Sequence, residues 1–73
     1  MKYRIKELRE DKDLKQSIIA DYLNMKQNNY SYLENEKIEI KIDYLIKIAD
    51  FYNVSVDYLL NRTDVMKPYP KKK

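Results

Sequence analysis

LKQSIIADYLNMKQNNYSYLENEK, residues 14 to 37, resolves into two short amphipathic helices joined by a turn too short to hold anything else. Ile19, Ala20 and Leu23 recur at helical spacing in the first half, and Tyr30 and Leu33 do so in the second, so both apolar faces point at one shared core. Ala20 is small where two helices would cross closely, Asn24 tolerates the left-handed conformation of a tight turn, and Met25 is placed to plug the corner. The outward side of the second helix carries Lys26, Gln27, Asn28, Asn29 and Ser31. Amides and a hydroxyl suit base edges in a DNA groove, since Gln and Asn can pair bidentately with adenine N6 and N7.

Outward from this stretch, Ile5 and Leu8 predict a first helix over roughly Tyr3 to Lys12 with a highly charged outer face. The second helix is expected from about Gln16 to Leu23 and the third from Gln27 to about Asn35. Ile38-Glu39-Ile40-Lys41-Ile42 alternates strictly, which by itself predicts a short half-buried strand. A fourth helix follows over about Ile42 to Tyr52, with Ile42, Leu45, Ile46, Ala49 and Tyr52 facing inward, and Ser55 caps a short fifth helix through Leu60. Tyr22, Tyr44, Tyr52 and Tyr58 fall mainly where an aromatic body half-buries and leaves its hydroxyl wet. Past Arg62 the segment TDVMKPYPKKK has two prolines, a lysine run and too little apolar content to pack by itself. The expected organisation is one domain over residues 1–63 and a basic, mobile tail over 64–73.

Composition removes several functions. Seventy-three residues make one small domain, which buries only around 60% of its unfolded surface. There is no cysteine and no histidine, so disulfides, thiolate nucleophiles and the commonest metal ligand and general base are absent. No metal, cofactor or small-molecule substrate is expected. Nor is an enzyme, because Ser17, Ser31 and Ser55 have no histidine to activate them and no glycine-rich loop cradles a phosphate. The apolar runs are too short for a membrane span and the amino terminus lacks a signal peptide's apolar core, so a soluble cytoplasmic protein is expected. The net charge is +3, but Lys67, Lys71, Lys72 and Lys73 supply more than all of it. Attraction to nucleic acid must therefore come from local placement of lysines or from the tail. Glycine is absent while lysine, isoleucine, asparagine and tyrosine abound, a bias that A/T-rich codons would also produce.

From Arg4 to about Thr63 the chain resembles the Cro and phage-repressor (Xre-type) family of helix-turn-helix regulators. The marks are RIKELRE at Arg4 to Glu10, Leu14 followed by Gln16, Ala20, Leu23, Glu34-Asn35 with Lys37 close behind, and LIKIADFYNVSVDYLL from Leu45 to Leu60. The resemblance implies an all-α, compact five-helix repressor-type DNA-binding domain, with the helix-turn-helix at helices 2 and 3 and an extended loop instead of a strand before helix 4. It implies a sequence-specific double-stranded DNA-binding transcriptional regulator, a repressor acting as a homodimer on a pseudopalindromic operator. Gln27, Asn28, Asn29 and Tyr32 would read bases. Lys15, Gln16, Lys26, Ser31, Asn35, Lys37 and Lys41 would hold phosphates, with Gln16 also steadying the first residue of the recognition helix. Arg9 and Glu34 match a buried structural ion pair. Val54, Val56, Tyr58 and Leu59, with Leu60, exceed what one small core needs and match a region through which relatives dimerise.

The departures from the family pattern are also informative. Lys15, Lys26 and Lys41 stand where the family often has a serine N-cap, so each forgoes about 1 kcal/mol and opposes the helix dipole. Two readings stand: phosphates neutralise these lysines, or the codons have drifted. Asp13, Asn24 and Glu36 replace family glycines, and Glu enters the left-handed region least readily, so the loop after helix 3 is expected to differ from the family's. Ile38 and Ile40 replace a basic residue and a proline, and are either core or a partner surface. Two rival functions remain open. One is a DNA-binding antitoxin that holds a toxin through the tail or the Ile38–Ile40 loop; the other is a protein-interaction module of the same fold that has lost its DNA contacts.

Overall fold

The computed structural model describes residues 3–68. Its elements are α1 (Ile5–Asp11), α2 (Gln16–Tyr22), α3 (Gln27–Glu34), α4 (Ile42–Tyr52) and α5 (Val56–Leu59). Among the described residues there is no strand, and the alternating segment before α4 is an irregular loop, as the family resemblance implies. None of these helices is long enough to persist alone in water, so their stability comes from the face each buries.

That shared face is one core. Ile5 and Leu8 enter it from α1, Ile19, Ala20 and Leu23 from α2 and its cap, Tyr30 and Leu33 from α3, and Leu45, Ile48, Ala49 and Tyr52 from α4. Burying a side chain such as Ile19 contributes about 1.5–3 kcal/mol. Met25 packs against this core from the turn between α2 and α3.

Three inward assignments differ from expectation. On α4, Ile42 and Ile46 turn outward, and Ile48 takes the buried place. Leu45, Ile48, Ala49 and Tyr52 make the continuous i, i+3, i+4, i+7 stripe, and Ile46 lies about 100° around the helix from Leu45. Val54 and Leu59 are not surplus to the core, being 3% and 0% exposed, because α5 folds back and closes it. Tyr52 is buried to its hydroxyl, which finds no hydrogen-bond partner among the described residues, whereas Tyr22, Tyr44 and Tyr58 keep part of their surface.

All five described helices end alike. Asp13, Asn24, Glu36, Asn53 and Asn61 take φ between 56° and 62°. At each, two N–H groups turn back onto the last carbonyls, as in Glu36 N–H to Leu33 O at 3.1 Å and Lys37 N–H to Tyr32 O at 2.8 Å. This is the Schellman arrangement, usually built on glycine, here completed without one. The loop after α3 therefore takes the left-handed turn despite its glutamate, contrary to the expected departure.

Arg4 joins the two ends of the domain. Its backbone N–H donates to Leu59 O at 2.8 Å, its guanidinium to Asn61 Oδ1 at 3.1 Å and Asp64 Oδ1 at 2.7 Å, and it lies 4.2 Å from the Tyr58 ring centroid. Ser55 N–H donates to Met66 O at 3.0 Å. Within segment 64–73, Asp64 and Met66 thus contact the domain, and residues from Tyr69 onward lie outside the described ones.

Candidate nucleic-acid interface

α2 and α3 pack together across the turn at Asn24, where Asn24 N–H returns to Asp21 O and Met25 N–H to Ala20 O. Tyr30 and Leu33 hold the inner face of α3 in the core, so its outer face is fixed by the same contacts. On that outer face Gln27, Asn28, Asn29 and Tyr32 are exposed, Tyr32 by 53%, and Ser31 is half-buried. The four residues expected to read bases are thus all accessible.

The three lysine N-caps are extended, with ψ of 151° at Lys15, 146° at Lys26 and 149° at Lys41, and none makes a side-chain cap hydrogen bond. All three are exposed. Each of these helix starts therefore presents unbonded N–H groups, a partial positive charge from the helix dipole and a full positive charge on the lysine. At a surface without anions this is unfavourable, and beside phosphate it becomes favourable. α5 is capped instead by Ser55 Oγ, which accepts from Tyr58 N–H at 3.0 Å.

A buried ion pair holds α1 to the end of α3. Glu34 is 1% exposed and receives Arg9 Nε at 2.7 Å and Arg9 Nη2 at 2.8 Å, while Arg9 Nη1 donates to Leu14 O at 2.7 Å. Gln16 Nε2 also donates to Glu34 Oε1 at 3.2 Å. Burial alone would raise the Glu34 carboxyl, but Arg9, with help from Gln16, outweighs it and holds the carboxyl below its usual value. Burial, and then the neighbouring Glu34 charge, raises both buried phenols, Tyr52 to about 12. The Tyr30 hydroxyl lies against Glu34 outside hydrogen-bonding geometry. The ion pair matches the sequence expectation, and the structure adds the Leu14 carbonyl and the Gln16 amide as partners.

Lys37 occupies the position of the α3 end turn where Leu14, Met25 and Val54 follow α1, α2 and α4 with apolar side chains that pack inward. A lysine there stays exposed beside the recognition helix. Asn35 is exposed and closes the end of α3, its Nδ2 donating to Ser31 O at 2.9 Å. Of the loop isoleucines, Ile40 packs on the core and Ile38 is exposed, so the two alternatives left open for the pair divide between them. Among the described residues no group of carboxylates could hold a metal, and no helix is long and apolar enough to cross a membrane.

Comparison with known proteins agrees with this geometry. The helix-turn-helix family model matches residues 5–59. The HTH-type transcriptional regulator ImmR of Bacillus subtilis (strain 168) is 39% identical over 64 residues, 88% of this chain and 50% of that protein. The uncharacterized HTH-type transcriptional regulator YobD of the same organism is 31% identical over 70 residues, 96% of this chain and 62% of that protein. The chain thus spans between half and two thirds of these relatives. No solved structure matches it. With five helices among the described residues, a helix-turn-helix at α2 and α3 and this match over most of its length, the chain belongs to the Xre/Cro type of the helix-turn-helix family, whose members are DNA-binding transcription regulators and not enzymes.

Proposed function

We propose that this chain binds a pseudopalindromic double-stranded operator as a homodimer and represses transcription. The observation that carries the reading is the coincidence of three extended, uncapped, lysine-fronted helix starts with an α3 outer face made of amides. Each recognition helix enters one major groove, with half-sites about one helical turn, roughly 10 bp, apart. Gln27 and Asn28 read base edges, Asn29 and Tyr32 complete that face, and the Tyr32 ring touches a thymine methyl or a sugar. Lys15, Lys26 and Lys41, with Gln16, Ser31, Asn35 and Lys37, hold phosphates and fix the register.

Gln27→Ala tests the base-reading role. Binding measured against a panel of single-position operator variants is expected to fall by about 1–3 kcal/mol, with discrimination lost at one position. An equal loss on every sequence would remove Gln27 from the reading set.

A further inference from the structure

Polar groups from four helices meet at one buried place. Glu34, at the end of α3, is 1% exposed and takes Arg9 from α1 and Gln16 from α2. Tyr30, one turn earlier on α3, is 0% exposed, and Tyr52, at the end of α4, is 7% exposed. Both phenol oxygens are buried, and neither has a hydrogen-bond partner among the described residues. The Glu34 charge acts on both phenols and Tyr52 acts on Tyr30, so the three groups are neighbours. Such a pair of hydroxyls is an exception to be explained, because nearly all buried polar groups are bonded to protein or to ordered water.

The carboxylate cannot serve both phenols. An ionised carboxyl group accepts about four hydrogen bonds. Three are made, from Arg9 Nε to Oε2 at 2.7 Å, from Arg9 Nη2 to Oε1 at 2.8 Å and from Gln16 Nε2 to Oε1 at 3.2 Å. One position remains, on Oε2, for two O–H donors. A relay from Tyr52 through Tyr30 to Oε2 would use that position for both, but neither phenol lies in bonding geometry with the other or with Glu34. A gap between coupled polar groups that is too wide for a direct bond is the kind that water bridges. One water molecule closes the count: its oxygen accepts from Tyr30 and from Tyr52, and one of its O–H groups donates to Oε2. Those three bonds are about the usual number for a buried water.

We propose that Tyr30, Tyr52 and Glu34 form a binding site for a single internal water molecule, which ties the end of α4 to the recognition helix α3.

Phenylalanine at either tyrosine removes the hydroxyl and keeps the ring, including the edge-on packing of Tyr52 against Phe51 at 5.0 Å between centroids. Thermal melts of the full chain carrying Tyr30→Phe, Tyr52→Phe or both read the site. A bridged hydroxyl takes its hydrogen bond with it, so each single variant should melt about 4–8 °C lower. The double variant should lose less than the sum, because both hydroxyls hold the same water. A stranded hydroxyl weakens the native state instead, so a Tyr52→Phe variant that melts at or above the wild type overturns the proposal. A high-resolution crystal structure of the chain separates the water from the direct relay. It should show a water oxygen about 2.7–2.8 Å from both phenol oxygens and from Glu34 Oε2. Phenol oxygens bonded directly to each other and to Glu34 overturn it.

Discussion

α5 begins at Ser55, whose hydroxyl accepts the Tyr58 N–H, while α3 begins at Lys26, whose side chain caps nothing. Both starts share the same extended backbone, with ψ of 155° and 146°. The difference lies in what each end faces. Ser55 is buried and must satisfy the helix start from within the protein, whereas Lys26 is exposed, as are Lys15 and Lys41. A chain of this size has about 4–11 kcal/mol of stability, so three missing caps at about 1 kcal/mol each are a large share of it. Among the described helices only α5 has a side-chain cap, and α1, which starts at the half-buried Arg4, has none. In the proposed function an anion completes the lysine starts.

The contrast breaks most completely at Arg9, which joins α1 to the end of α3 and to the Leu14 carbonyl before α2 and has no part in α5. Arg9→Ala strands a buried carboxylate and should cost about 3–5 kcal/mol, enough to leave much of the population unfolded in a urea titration. A loss under 1 kcal/mol would mean that Glu34 finds water. Acid probes the same pair more gently. The Glu34 carboxyl is lowered in the fold from its ordinary 4.5, so its contribution is complete above that value and is lost as pH falls below it. Melting temperature should drop on acidification below about pH 4.5, less steeply once Glu34 is replaced by Gln.

Ser55→Ala and Lys26→Ser sharpen the contrast in opposite directions. The first should lower stability by about 1 kcal/mol and leave the salt dependence of DNA binding unchanged. The second should raise stability by a similar amount and flatten the slope of log K against log salt by about one unit per protomer. Equal stability changes of the same sign would dissolve the distinction between the two kinds of start. The smallest effect is expected at Glu36→Gly, where relief of the left-handed backbone should add about 0.5–1 kcal/mol to the free protein.

Helix number, the bounds of α4 and the Ser55 cap were legible because periodicity and capping are local signals. The orientation of α4 was not. Apolar residues at 42, 45, 46, 48 and 49 spread over an arc of about 160°, wider than the buried stripe, and only the tertiary contacts select Ile48 over Ile46. Glu36 misled in the other direction, since its two returning hydrogen bonds outweigh its own backbone preference. In the candidate site, exposure along α3 followed from the two buried positions Tyr30 and Leu33. The Arg4 clasp to Asn61 and Asp64 joins residues 57 and 60 apart, a distance no local pattern spans.

The central claim is that phosphates complete the lysine-fronted starts, and the direct measurement is fluorescence anisotropy on an operator duplex across a salt series. It compares the wild type with the triple variant Lys15→Ser, Lys26→Ser, Lys41→Ser, beside a thermal melt of each. The account predicts a triple variant more stable by up to about 3 kcal/mol, with a salt slope shallower by about three units per protomer. An unchanged slope at any stability would contradict it.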